Sequence, residues 1–138
     1  MVLNKYGHII ENCYLDLINH YPNCLLDEFV IMPNHFHGII IIQNTNQPVI
    51  DLSVGNGLKP FPTRYSLSEI IRGFKTFSSR KIHELGLNSF IWQKSFYDNI
   101  IRNKYSLYYI REYIKNNPIN WNDDRNNLST NKQQIKIQ

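Results

Sequence analysis

Apolar residues in the first third of the chain change from helical spacing to strand-like runs. Over residues 9–21 they recur every three to four positions, which predicts an amphipathic helix. Two short apolar runs follow and predict strands over 27–32 and 35–43, with Pro33-Asn34 as a tight connection between antiparallel partners. The second run is apolar throughout from Ile39 to Ile42, so we expect both faces of that strand to be covered.

The middle of the chain contains a composition change and then a clear helix start. Residues 44–63 are rich in Asn, Gln, Gly, Pro and Ser, which predicts a long loop. Ser66-Leu67-Ser68-Glu69 has the spacing of a capping box, in which Ser66 caps the helix and Glu69 reaches back. This helix is predicted to continue to about Leu85 and to stop at Gly86.

The last third predicts one more strand, one more helix and a tail. Aromatic residues concentrate over 90–101, which predicts a third strand. Ser106 is the expected cap of a final helix that ends near Asn117, because the residue before Pro118 is disfavoured in helical conformation. Residues 122–138 are polar and are predicted to be a disordered tail.

The order helix-strand-strand-helix-strand-helix predicts an α+β fold, a mainly antiparallel sheet with helices packed on it. The chain has 138 residues, of which 42% are hydrophobic, and this suits one domain, which we assign to residues 1–121. It contains no apolar run of membrane-spanning length and no signal-peptide pattern, so we expect a cytoplasmic protein. Cys13 and Cys24 fit free thiols better than a disulfide framework.

A pair of histidines marks the start of the second predicted strand. Because side chains alternate along a strand, His35 and His37 point to one face and Phe36 to the other. Two imidazoles a few ångströms apart on a rigid face can bind a divalent metal. The alternative is two ordinary polar residues on an accessible sheet face.

A second group of residues lies on the last predicted helix. Tyr113 and Asn117 are four positions apart and therefore share one face. The alternative is a half-buried tyrosine beside an ordinary helix terminator. Taken with the histidines, however, they form a coherent chemistry, since a tyrosine can attack a phosphodiester while a metal polarises the phosphate. An asparagine amide would then complement two imidazoles as a third ligand.

Several separate motifs resemble one family, the single-tyrosine transposases of the HUH (His-hydrophobic-His) superfamily, in its REP-associated branch. The resemblance covers about residues 2–121 and rests on stretches at 32–38, 92–98, 101–103 and 113–118, with Leu3-Asn4 and Gly7 before the first helix. The matching stretches are Met32-Pro33-Asn34-His35-Phe36-His37-Gly38, Trp92-Gln93-Lys94-Ser95-Phe96-Tyr97-Asp98, Ile101-Arg102-Asn103 and Tyr113-Ile114-Lys115-Asn116-Asn117-Pro118.

This resemblance implies a ferredoxin-like core, a homodimer, and nicking and rejoining of single-stranded DNA at hairpins formed by palindromic repeats. Tyr113 would be the nucleophile and would give a 5′-phosphotyrosine, while His35, His37 and Asn117 would hold Mg²⁺ or Mn²⁺. When bound to DNA, such a protein would be associated with the bacterial nucleoid.

In one respect the sequence departs from the family pattern. Members usually carry another strand before the Leu3-Asn4 stretch, and this chain starts at Met1. We therefore expect an N-terminally truncated domain that lacks the usual first strand, which is central in a ferredoxin-like sheet. An alternative function follows, a non-catalytic remnant that binds single-stranded or hairpin DNA. A plain α+β interaction module whose histidines bind nothing is a third.

Basic residues in the second half are the expected DNA contacts. The net charge of +4 is compatible with a polyanionic partner, and single-stranded DNA requires cations for the phosphates and aromatic side chains for the bases. The alternative for each cation is an ordinary solvated surface charge. The candidates are Arg72, Lys75, Arg80, Lys81, Lys94 and Arg102.

Overall fold

A computed structural model describes residues 2–43, 64–124 and 127 of the chain. Its regular elements, in chain order, are α1 (Lys5–Leu15), α2 (Leu17–His20), β1 (Cys24–Ile31), β2 (Phe36–Ile42), α3 (Leu67–Glu84), α4 (Lys104–Asn116) and a 3₁₀ turn (Trp121–Asp123). Helices and a sheet in one chain confirm the α+β class, while the ferredoxin-like arrangement and the missing first strand remain predictions. No helix in these described ranges is long and apolar enough to cross a membrane.

The two strands form an antiparallel ladder interrupted by a β-bulge. Leu26 pairs with Ile40 and Phe29 pairs with Gly38, so three steps along β1 match two steps along β2. Asp27 and Glu28 therefore lie together across from the single residue between those partners. After the bulge the alternation of β1 shifts by one residue, which keeps Phe29 on the core side of the sheet.

The core lies between one face of this sheet and the helices α1 and α3. Tyr14 is fully buried at its centre, and its ring centroid lies 4.9 Å from that of Phe29 and 4.8 Å from that of Phe36. The Tyr14 hydroxyl donates to the backbone carbonyl of Ile39 at 3.1 Å. Phe74 of α3 completes the cluster, 5.4 Å from the Phe36 ring, so the residue between the two histidines anchors β2 to the core.

Local capping signals explain the helix ends. The predicted capping box is confirmed, since Ser66 accepts from the Glu69 backbone and Glu69 accepts from the Ser66 backbone. The stop at Gly86 is also confirmed, by its φ of 96°. The first helix, predicted over 9–21, instead begins at Lys5, because the Asn4 side chain accepts from two backbone N–H groups. It is interrupted at Asp16, which separates α1 from α2.

Residues 90–101, all within the described ranges, form no strand, so the prediction of a third strand is wrong. Trp92 and Phe96 contact α3 instead, where the Trp92 indole N–H donates to Ser78 at 2.9 Å and the Phe96 ring lies beside Lys75, while Tyr97 is exposed. Backbone carbonyls that a ladder would use accept elsewhere: those of Gln93 and Ser95 accept from Lys75 at 2.8 and 2.9 Å. Aromatic residues indicate that side chains pack against a neighbour, and this happens in irregular segments as well as in strands.

The final helix begins earlier than predicted. Its cap is Asn103, whose side chain accepts from the backbone N–H of Ser106, so the assignment of Ser106 as the cap is wrong. The predicted end is confirmed, because Asn117 is the C-cap. The predicted tail boundary at Asn122 falls within the 3₁₀ turn, and the rest of the tail after Asp124, apart from Asn127, is outside the described residues.

The predicted loop over 44–63 also lies outside the described residues. The expectation that both faces of the isoleucine run are covered is wrong in part. Ile39 is buried, whereas Ile41 on the same face is 43% exposed and pairs across the ladder with an equally exposed Leu25. In the described structure, this face of β2 is therefore covered at Ile39 but not at Ile41.

Candidate metal and nucleophile site

The two histidines lie side by side on the sheet face opposite the core. Their ring centroids are 4.9 Å apart at an interplanar angle of 77°. The turn that precedes them is closed by the Met32 backbone N–H, which donates to the carbonyl of His35 at 2.9 Å. His35 is buried and His37 is half-buried, so the pair is partly enclosed rather than openly exposed on the surface.

Helix α4 brings the tyrosine and the asparagine to the same place. The ring centroid of Tyr113 lies 5.4 Å from that of His37, and the side chain is 58% exposed. Ile114 is buried beneath the helix, and Asn117 at the C-cap is only 4% exposed. The four residues singled out from two distant sequence motifs thus converge, with the tyrosine hydroxyl group on an accessible side chain.

Two buried polar atoms at this site lack hydrogen-bond partners among the described residues. They are the Nε2 atom of His35 and the Oδ1 atom of Asn117. The other ring nitrogen of His35, Nδ1, lies 2.7 Å from the side-chain oxygen of Asn34, an arrangement that leaves Nε2 with its lone pair. A buried imidazole nitrogen and an amide oxygen, both unsatisfied, are a donor set that a divalent cation would satisfy.

Burial lowers the pKa of both histidines. For His35 desolvation is the largest cause, and it is opposed by the Asp124 carboxylate and by the nearby Asn117 side-chain oxygen, which interacts with the imidazole without reaching ordinary hydrogen-bond geometry. For His37 desolvation again dominates, the neighbouring His35 lowers the pKa further, and Asp124 raises it. The fold therefore favours neutral imidazoles, the protonation state that metal ligation requires.

The C-terminal turn contributes residues that the sequence pattern did not single out. The Trp121 ring lies 6.0 Å from the His35 ring, and Asp124 follows in the same turn. Trp121 is the last residue of the predicted domain and Asp124 lies in the predicted polar tail, where no periodicity or motif spacing marks them. Within the described ranges no three His, Cys, Asp or Glu side chains form a metal-binding group, so a ligand set here depends on the Asn117 amide.

The six expected DNA contacts fall into three groups by location and exposure. Arg72, Arg80 and Lys81 are exposed on α3, which packs against the opposite face of the sheet from His37. Lys94 and Arg102 are exposed on the segment that leads into α4. Lys75 is half-buried and binds two backbone carbonyls, and burial lowers its pKa, so much of its hydrogen-bonding capacity is used within the fold.

Comparison with known proteins places these residues in a family. Residues 58–117 match the family model described as "Transposase IS200 like", a span that includes α3, the segment after it, Tyr113 and Asn117. An uncharacterized protein of Haemophilus influenzae (strain Rd) is 37% identical over 131 residues, which cover 91% of this chain and 71% of the relative. No solved structure gives a significant match. The chain belongs to the IS200-like transposase family.

Proposed function

We propose that this transposase-family chain nicks and rejoins single-stranded DNA at hairpin or palindromic sequences through a covalent link to Tyr113. The observation that supports this most directly is the position of the Tyr113 ring, 5.4 Å from that of His37, which in turn lies beside His35. An exposed phenol beside partly buried histidines suits attack on a large substrate that approaches from solvent.

In the proposed step, the Tyr113 phenol loses its proton to solvent water and the resulting phenolate oxygen attacks a backbone phosphorus atom. The bond between phosphorus and the 3′ oxygen breaks, the departing oxygen takes up a proton, and the downstream DNA remains on the tyrosine as a 5′-phosphotyrosine. Attack by a 3′-hydroxyl reverses the step and rejoins strands without external energy. Mg²⁺ or Mn²⁺ held by His35, His37 and Asn117 would polarise the phosphate and stabilise the departing oxygen.

Exposed tyrosines on α4 support a single-stranded partner. Tyr105 and Tyr109 are 81% and 69% exposed and precede Tyr113 at four-residue intervals, so the three side chains form one stripe along the helix. Such rings can stack with unpaired bases. Lys94 and Arg102, exposed just before this helix, could neutralise phosphates. A homodimer is part of the proposal, and sedimentation velocity would measure it.

The covalent link is tested with a hairpin oligonucleotide library that has randomised single-stranded flanks, labelled at either end. In the presence of Mn²⁺, the 3′-labelled strand should become attached to the protein, while the 5′-labelled strand should be released as a shorter product. Tyr113→Phe should abolish both signals, whereas the matched variant Tyr109→Phe should retain them. Attachment that survives Tyr113→Phe would show that the nucleophile is another residue.

The metal requirement is examined in the same assay and by calorimetry. Chelation should stop attachment, and Mn²⁺ should bind the free protein less tightly after His35→Ala. If hairpin DNA binds in a salt-dependent way but no strand is attached at any Mn²⁺ concentration, the non-catalytic binding function is favoured instead. Equal Mn²⁺ binding by the wild type and His35→Ala would support an interaction module without a metal site.

A further inference from the structure

The β-bulge in β1 gives two neighbouring carboxylates the same partner helix. On a regular strand, adjacent side chains point to opposite faces, so only one of Asp27 and Glu28 would face α4. In this structure Asp27 contacts Arg111 and Glu28 contacts Lys115, both on α4. The extra residue of the bulge therefore changes the direction of a charged side chain at the strand that supports the tyrosine helix.

The contacts are specific in geometry. Arg111 donates through Nε to Oδ1 of Asp27 at 2.8 Å, and a terminal guanidinium nitrogen donates to the other carboxylate oxygen, so the pair is bidentate. The Asp27 side chain is only 12% exposed, and Oδ1 also accepts from the Glu28 backbone at 2.7 Å. Nζ of Lys115 lies 3.3 Å from Oε1 of Glu28.

These ion pairs restrict the rotation of α4 about its own axis, which the apolar contact beneath the helix does not. Ile114 is the buried residue of this helix and two further aliphatic side chains of α4 are half-buried, but apolar contacts have no preferred direction and do not by themselves fix the rotation of the helix about its axis. At 3.6 residues per turn, Lys115 lies about 100° to one side of Ile114 and Tyr113 about 100° to the other. Fixing Arg111 and Lys115 against β1 thus fixes the direction in which Tyr113 and Asn117 face the histidines.

We propose that the Asp27–Glu28 bulge is a clamp that sets the rotation of the tyrosine helix, with Arg111 and Lys115 as positioning residues for attack by Tyr113. This inference rests on the proposed function for its catalytic consequence. The clamp itself is a statement about α4 and β1, and it can be measured without DNA.

The test uses the full chain with Asp27→Asn, Arg111→Gln, their double variant and Arg111→Lys, beside Glu11→Gln as a control at a surface ion pair on α1. In Asp27→Asn and in Arg111→Gln, amide hydrogen exchange should become about tenfold faster in α4 and remain unchanged in α3. Strand attachment at saturating DNA should slow by about tenfold, with DNA affinity unaltered.

Two further comparisons separate positioning from general stability. The double variant should be no slower than either single variant, because the pair acts as a unit, and Arg111→Lys should recover part of the rate. The clamp would be overturned if Asp27→Asn showed the hydrogen exchange and the strand-attachment rate of the wild type. It would also be overturned if exchange became faster in all helices alike. A lower DNA affinity with an unchanged rate would make Arg111 a substrate contact instead. If the wild type attaches no DNA, the proposed function fails, and the exchange data still decide the clamp.

Discussion

Gly38, which follows the histidine pair, is required by the packing beneath the site. A Cβ atom added there would lie 2.7 Å from the Tyr14 hydroxyl and 2.9 Å from a ring carbon of Phe36. Tyr14 is fully buried and its hydroxyl is bonded to the Ile39 carbonyl, so it has little room to move. The glycine thus allows the site strand to approach the core closely.

We expect Gly38→Ala to lower the free energy of unfolding by about 1–3 kcal/mol, the usual cost of forcing an extra carbon into a packed core. Urea denaturation followed by circular dichroism would measure it. Because the hydroxyl of Tyr14 is the nearest obstacle, Gly38→Ala combined with Tyr14→Phe should cost less than the sum of the two single changes. Strictly additive losses would mean that the contact with Tyr14 is not the cause.

Residue spacing predicted much of the candidate site because strand and helix periods are local rules. His35 and His37 share a face, and Phe36 packs into the core on the other face, as strand alternation requires. Asp124 was missed because its approach to the histidines follows from the C-terminal turn, and a tertiary approach leaves no periodic signal in the sequence.

At the scale of elements, local hydrogen-bonding signals were more informative than aromatic content. The Ser66 capping box is encoded within four residues and was predicted correctly. The strand over 90–101 was not, since Trp92 packs on α3 and two of the backbone carbonyls in the segment accept from Lys75. The bulge at Asp27 was also beyond prediction, because a bulge is defined by the register of a partner strand.

The start of α4 gives a direct test of which residue caps it. Asn103→Ala should destabilise the protein by about 1 kcal/mol, because a side-chain acceptor for the first turn is lost. Ser106→Ala is the matched control: it removes the cap expected from the sequence but no observed cap, and it should change stability by less than about 0.5 kcal/mol. Thermal unfolding of both variants measures the difference, and a larger loss for Ser106→Ala would restore that residue as the cap.

At the scale of the whole molecule, the two faces of one small sheet have different chemistry. The core face is apolar and packs on α1 and α3, whereas the other face carries the histidines and binds α4 through ion pairs. Attachment of the tyrosine helix to β1 therefore involves ionised carboxylates. Its stability should consequently respond to acid.

One contribution to the response to acid comes from Asp27. Hydrogen bonds from Arg111 are the largest cause that lowers the pKa of this carboxyl below its ordinary value of 3.8. Between the two values the unfolded chain binds more protons than the folded one, so stability rises with pH there. The contribution is therefore complete above about pH 4 and is lost as the pH falls through the folded-state pKa.

Asp27→Asn mimics the protonated Asp27 side chain, so its stability relative to the wild type measures what the ionised carboxylate contributes. The wild type should be more stable than Asp27→Asn at pH 7, and the difference should shrink steadily as the pH is lowered below about 4. Urea denaturation at constant ionic strength across this range measures it. Arg111→Gln, which removes the cause of the shift, should likewise differ from the wild type less at low pH. A difference that stays constant from pH 7 to pH 3 would show that Asp27 stabilises the tyrosine helix by something other than its charge.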